Sequence, residues 1–268
     1  MRVLSVLFLF TALFLSFASQ PALAAPIAED DFTLSFPIYA NGGFGFSGPW
    51  TQGGFNAFAS GYSTRGRSLC HPRLEVGGGS VSGEAFSAIN GAVRNLAQPL
   101  GTPNSTVYVG FLVRPEGTLN DGIFNGFFGL TLNGDLGNDL FIGKPGGGAP
   151  DQYVLENRGG FGQAASGVQA VVGKTTLLVV KAQFMAGNDV FTLYVNPRPG
   201  RPEPAAGNAV KSDVDLGTVS KIGIYSTGAF AIDEIRIGST FADVTPVRNG
   251  SQDKDFPDCR EDRDGRDD

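Results

Sequence analysis

The run 106–114 (TVYVGFLVR) does most to decide what this chain can become, because its residues alternate: Val107, Val109, Phe111 and Val113 share one face, Tyr108, Gly110, Leu112 and Arg114 the other. Successive side chains that point to opposite faces define a β-strand, and apolar groups on both faces place this strand in the interior of a sheet. Helical periodicity is scarce beyond the first 25 residues, whereas the same alternation recurs between 39 glycines and 16 prolines. Glycine and proline supply turns, and 22 phenylalanines can fill the space between two layers. The expected class is therefore all-β, a sandwich of many short strands.

A hairpin is the clearest local element. Residues 175–184 (TTLLVVKAQF) and 189–196 (DVFTLYVN) flank Met185, Ala186, Gly187 and Asn188, and both Gly187 and Asn188 tolerate the positive φ of a tight reversal. Prolines in 196–204 (NPRPGRPEP) then end the strand, which predicts an exposed loop. Further strands are expected at 31–36, 126–132, 139–143, 152–156, 221–226 and 230–237. In the last, Phe230 and Ile232 are followed by Ile235 and Ile237, with Asp233 and Glu234 between them. That slip of one residue predicts a β-bulge at Asp233–Glu234 which lets both apolar pairs face the core. The segment 42–83 is less periodic and reads as loops and short strands around the sandwich.

The ends of the chain differ from its middle. Residues 1–24 carry Arg2, an apolar run from Val3 to Ala18, and Ala22-Leu23-Ala24 before Ala25, the pattern of a cleaved secretory signal peptide. The expectation is a secreted protein, extracellular or at the cell surface, with no stable membrane insertion after cleavage, since no later apolar run approaches the ~20 residues of a span. Residues 25–246 are expected to form one domain, and 247–268 a charged, disordered tail in which 253–268 hold eight acidic and four basic residues. A net charge of -6 gives no electrostatic reason to expect nucleic acid. Export permits a disulfide between the two cysteines, Cys70 and Cys259. The alternative is an exposed thiol at Cys259. Two sequons, at Asn104 and Asn249, matter only in a host that glycosylates them.

No catalytic motif is recognisable. Gly167 and Gly173-Lys174-Thr175 are spaced one residue too far apart for a phosphate loop, and a β-rich run follows instead of a helix. His71 is the sole histidine and no G-x-S-x-G elbow is present, so neither a hydrolytic triad nor a zinc site is expected. Asp30–Asp31 and Asp233–Glu234 are adjacent pairs that a strand points to opposite faces, so neither makes a catalytic dyad unless a bulge intervenes. In the tail, Asp262 and Asp264 with Gly265 resemble part of a calcium loop, but Arg260 stands where another carboxylate belongs. No cofactor is expected beyond weak calcium binding there. Among the aromatic residues of 44–62, most phenylalanines read as core, whereas Trp50 and Tyr62 carry polar handles suited to a partly exposed, ligand-binding site that stacks on sugars.

With these elements in place, 31–244 resembles the laminin-G-like branch of the concanavalin A-like lectin and glucanase superfamily, in the version found in exported bacterial proteins of the PEP-CTERM type. The resemblance rests on 106–114, 140–148 (LFIGKPGGG), 177–196 and 230–244 (FAIDEIRIGSTFADV). It implies a jelly-roll sandwich of two antiparallel sheets and a bias toward glycan or surface binding. The E-x-D-x-x-E or E-x-D-x-E strand of the glucanases does not occur here, nor does the C-terminal sorting signal. The resulting expectation is a noncatalytic binding or adhesive module for a polysaccharide or cell-surface glycan. The alternatives are a structural or matrix protein without a specific ligand, or a divergent glycan-active enzyme.

Overall fold

The computed structural model describes residues 26–33, 41–52, 62–83, 90–117, 119, 126–135, 138–147, 149, 151–157 and 161–248. The expected signal peptide, Cys259, Asp262, Asp264 and nearly all of the tail lie outside the described residues. Two antiparallel sheets make up the molecule, which is the expected all-β sandwich.

In chain order the strands are β1 (Ala28–Asp30), β2 (Thr51–Gln52), β3 (Tyr62–Arg65), β4 (Ser80–Gly83), β5 (Asn90–Leu100), β6 (Thr106–Pro115), β7 (Phe128–Asp135) and β8 (Asn138–Lys144). They continue with β9 (Gln152–Asn157), β10 (Phe161–Gln169), β11 (Thr176–Gln183), β12 (Asp189–Val195), β13 (Ala209–Val214), β14 (Val219–Ser226) and β15 (Phe230–Gly238). An eight-stranded sheet runs β13-β12-β11-β6-β15-β4-β3 with β1 on β15, and a seven-stranded sheet runs β10-β9-β8-β7-β14-β5-β2. The chain crosses between sheets from β5 to β6 and from β14 to β15, while β7–β10 and β11–β13 are meanders within one sheet. This is the jelly-roll arrangement, and β6 is central as its two apolar faces require.

The core lies between the sheets. Val107, Val109, Phe111 and Val113 of β6 meet Leu130, Ile142, Leu155, Ile222 and Ile224 of the facing sheet there. The other face of β6 carries Tyr108 and Leu112 into a second apolar cluster, closed over the outer face of the eight-stranded sheet by Leu69, Leu74 and Val76 and by Phe241 and Val244 beside a 3-10 turn, Ala242–Val244. The middle of the eight-stranded sheet, around β6 and β15, is thus buried on both faces. Each fully buried aliphatic or Phe side chain contributes about 1.5–3 kcal/mol, so these two clusters dominate the stability.

The hairpin forms as read, with Val179 opposite Tyr194 and Gln183 opposite Val190, and Gly187 at φ +120. The bulge forms too: pairing of β15 with β6 shifts between Asp233 and Arg236, and Glu234 has φ +53. Three readings need correction. The first strand is Ala28–Asp30, not 31–36, because the Asp30 and Asp31 carboxylates accept hydrogen bonds from the amides of Phe32 and Thr33 and turn the chain, with Phe32 at φ +51; residues 34–36 lie outside the described set. The proline-rich loop is only partly exposed, since Pro197 and Pro199 are buried and Glu203 is anchored to the sheet below. Finally, 42–83 supplies members of the sheets themselves, β2, β3 and β4.

Candidate functional site

Trp50 and Tyr62, the expected stacking residues, are core residues with 1 % and 4 % exposure. The Trp50 indole N–H donates to Asp30 Oδ2 at 2.8 Å, and its ring lies 6.1 Å from Phe32. The Tyr62 hydroxyl reaches Asn90 O and Ser226 Oγ, each at 3.0 Å, and burial pushes its ionisation upward. Their polar handles are satisfied inside the protein, so neither ring presents a face to a sugar. Phe46 is half-buried beneath the Arg94 guanidinium, 4.2 Å from its ring centre. His71 is buried, and that burial lowers its pKa, as in a packed neutral imidazole. Cys70 is disulfide-bonded, while Cys259 lies outside the described residues.

The acidic pairs part company. Asp30, the last residue of β1, turns inward to Trp50 and Arg94, whereas Asp31 lies beyond the strand and turns to Thr33 near the surface. Asp233 and Glu234, by contrast, are brought together by the bulge: Ser68 Oγ lies 2.5 Å from Asp233 Oδ2 and 3.5 Å from Glu234 Oε1. Asp233 also accepts from the Leu69 amide at 2.7 Å, Glu234 from the Gly77 amide, and Arg236 joins Glu234 to Glu29. Burial, and then the neighbouring Glu234, hold the Asp233 pKa well above the usual range. Burial raises Glu234 to about 7 despite Arg236. Both side chains are at most 1 % exposed, so a substrate has no route to them and their contacts seat the loop 66–79. Among the described residues no group of three or more metal-ligating side chains assembles.

A different face carries the candidate binding surface. Gly91 of β5, Tyr225 of β14, Gly129 of β7, Gly143 of β8 and Val154 of β9 pair strand to strand and form one row across the seven-stranded sheet. Their neighbours Ala92, Ile224, Leu130, Ile142 and Leu155 point into the core, so this row faces outward. In the next row Val93, Gly223, Thr131, Phe141 and Glu156 are aligned in the same way.

The glycines exist here for space. A Cβ on Gly223 would meet the Tyr225 ring at 2.6 Å and Thr131 Oγ1 at 2.8 Å, and one on Gly91 would meet the same ring at 2.8 Å. Tyr225 therefore lies flat over two glycines, with its hydroxyl 3.4 Å from Gly134 O. Gly129 and Gly143 face each other so closely that a Cβ on either would strike the partner strand's backbone, at 2.3 and 2.2 Å. Phe127 packs edge-on against Phe141, their ring centres 6.0 Å apart. The result is an aromatic layer on a glycine floor. Tyr225 and Phe141 are almost wholly buried, and the groups of this face that meet solvent include Phe127, Val93, Lys221 and Glu156, half-buried, with Asn95 exposed. Glu156 accepts from Gln163 at 2.7 Å, which fixes one edge. Such a surface can bind by apolar contact and hydrogen bonding.

No protein-family model matches the chain, and no curated protein matches it either. Solved structures do resemble it. The endo-1,3-beta-glucanase from Streptomyces sioyaensis aligns with a TM-score of 0.47 and 8% identity over 82% of this chain and 98% of that one. The T. cruzi calreticulin globular domain aligns at 0.46, with 11% identity over 73% and 86% of the two chains. Domain 4 of AbnA, a GH43 extracellular arabinanase from Geobacillus stearothermophilus solved with arabinotriose, aligns at 0.41 and 14% identity over 83% and 97%.

Proposed function

We propose that this protein is an exported, noncatalytic carbohydrate-binding module, and that its ligand, a polysaccharide or cell-surface glycan, engages the outer face of the seven-stranded sheet. The observation that carries the reading is the solvent-reaching strip of that face, where half-buried Phe127, packed edge-on against buried Phe141, lies on the same sheet face as Val93, Lys221, Glu156 and exposed Asn95, free of the second apolar cluster. A flat apolar ring such as that of Phe127 complements the carbon face of a sugar, and Glu156, Lys221 and Asn95 supply hydrogen-bonding partners on the same face. Membership of the laminin-G-like branch and cleavage before Ala25 belong to the same reading. The noncatalytic part is supported by the burial of Asp233 and Glu234, the adjacent carboxylates that the bulge brings together on Ser68.

Affinity electrophoresis of the mature protein against soluble polysaccharides tests it, with Phe127→Ala and Lys221→Ala as variants. Retardation by at least one polysaccharide, weakened by about tenfold or more in the variants at unchanged thermal stability, is the expected result; that corresponds to ~1.4 kcal/mol. Binding that ignores both substitutions refutes the placement. Release of reducing ends refutes the noncatalytic assignment, and failure to bind any polysaccharide favours a structural role without a specific ligand.

A further inference from the structure

On the opposite side of the molecule three donors converge on one carboxylate. Glu203, near the end of the proline-rich loop, reaches back over three strands: its Oε2 accepts from the Tyr108 hydroxyl of β6 at 2.7 Å, and its Oε1 accepts from the Tyr194 hydroxyl of β12 and from Lys181 Nζ of β11 at 3.0 Å. The pairing registers bring these donors together, with Lys181 directly opposite Tyr108 and Tyr194 opposite Val179, two residues along β11. Phe241 packs edge-on against both tyrosines, at 6.1 and 5.9 Å, and holds their rings upright. Both Glu203 oxygens are engaged, which makes the arrangement a complete carboxylate socket.

Its pieces are independently supported. Tyr108 and Tyr194 are 7 % and 5 % exposed and belong to the second apolar cluster, so they stay in place without Glu203. The loop is tied down on either side, by the Leu177 amide donating to Asn196 and the Val195 amide donating to Asn208. The Glu203 side chain remains 26% exposed, so rotation of that one side chain vacates the socket while the loop stays where it is. Exposed Arg198 and Arg201 on the same loop give this side a local positive charge in a chain whose net charge is -6.

We infer that the socket formed by Tyr108, Tyr194 and Lys181 is a second binding site, specific for the carboxylate of a uronic acid residue in an acidic polysaccharide, and that Glu203 occupies it as a built-in competitor. A polyuronate suits it because its carboxylates repeat, so that one enters the socket while its neighbours meet Arg198 and Arg201. The socket also favours the anion. Burial would raise the Glu203 pKa, but the bonds from Tyr194, Tyr108 and Lys181 outweigh it and hold the carboxyl below its usual range. The site shares with the reading above only its ligand class, and it lies on the other sheet.

Calorimetric titration of the mature protein with oligogalacturonate, at fixed ionic strength, decides the matter. Removing a competitor that fills its site most of the time raises apparent affinity, so Glu203→Ala should bind at least about tenfold tighter than the unmodified protein. Adding Lys181→Ala or Tyr194→Phe to that variant should abolish the gain, whereas Phe127→Ala on the opposite face should leave it intact. Glu203→Gln, which keeps the loop's packing, serves the same purpose if the alanine variant does not fold. No gain in either Glu203 variant overturns the inference. Equal binding of oligoglutamate overturns the assignment to a uronic acid, and loss of the gain with Phe127→Ala shows that the binding belongs to the other face.

Discussion

The buried ion pair between Asp30 and Arg94 ties the two sheets together, and it offers the sharpest test of the packing described above. Asp30 ends β1 on the eight-stranded sheet, Arg94 lies in β5 of the seven-stranded sheet, and their side chains are 3 % and 1 % exposed. Arg94 also donates to Gly48 O at 2.9 Å, Gly42 O at 2.7 Å and Asn41 Oδ1 at 2.7 Å, while Asp30 receives the Trp50 indole N–H. Burial is the largest influence on both partners: it raises the pKa of Asp30 and lowers that of Arg94 in spite of their attraction. Each group is therefore displaced toward its neutral form, the signature of a pair whose desolvation outweighs its Coulombic gain.

Two consequences follow, and they point in opposite directions. Asp30→Ala leaves a guanidinium buried without its counter-charge, which costs about 3–5 kcal/mol, near the low end here because three oxygen partners remain. For a chain of this length that is a fall in Tm of roughly 6–20 °C. Replacing both partners with apolar residues, Asp30→Leu with Arg94→Met, removes the charge and the need for compensation, so the double variant should recover most of the loss. The orphaned Trp50 N–H limits the recovery by ~1 kcal/mol. Urea unfolding followed by Trp50 fluorescence reads both, since Trp50 is the chain's one tryptophan and sits at the site. A single variant that loses under ~1 kcal/mol, or a double variant no more stable than the single, would refute the view that the pair is a costly cross-sheet tie.

The raised pKa values of Asp233 and Glu234 mean that the folded state holds protons more tightly than the unfolded chain, so the contribution of Glu234 is fully present below the ordinary carboxylate range and is lost as pH rises through about 7, and that of Asp233 is likewise lost as pH rises. Glu234→Gln should thus narrow the difference in urea midpoint between pH 5.5 and pH 8; an unchanged difference sinks that reading. On the glycine floor, Gly129→Ala should destabilise more than Gly223→Ala, because the first Cβ strikes backbone at 2.3 Å and the second a ring that can tilt. Thermal melts should give ~1–3 kcal/mol for Gly223→Ala, and a reversed order would contradict the geometry. Peptide mapping without reductant should recover Cys70 joined to Cys259, and intact mass of protein exported by a secreting host should place the N-terminus at Ala25. A free Cys259 or a retained leader would overturn the respective expectation.

What could be read from the residues alone divides along a physical line. The hairpin at Gly187–Asn188 and the bulge at Asp233–Glu234 were legible because the information is local: turn residues between β-rich runs, and a phase slip within nine residues. Strands β5 and β13 were not, because each places a basic residue in its inward phase, Arg94 and Lys211, both 2 % exposed. Such residues make sense in a core only once their partners are known. Arg94 meets a carboxylate 64 positions away, and Lys211 closes the gap between the sheet edges by donating to Gly162 O in β10. The same absence of partners misdirected the reading of Trp50 and Tyr62: a polar handle suggests a surface until the acceptors Asp30, Asn90 and Ser226 are found inside.

The outer face of the seven-stranded sheet shows where such reading stops. Gly129, Gly143 and Gly223 each occupy the phase opposite to Leu130, Ile142 and Ile224, so within its own strand every one of them was recognisably outward. That Gly129 and Gly143 lie opposite one another, with Gly223 in the next row, depends on inter-strand register, which the bulge in β7 at Asn133 and Gly134 helps to set, with both residues at positive φ. A one-residue slip would exchange Tyr225 for Ile224 on that face and bury the glycines in the core. The binding surface is thus a property of pairing, and Tyr225 acquires its place on that face because β5, far away in sequence, sets Gly91 beside it while Gly223 of its own strand leaves the other side of the ring open.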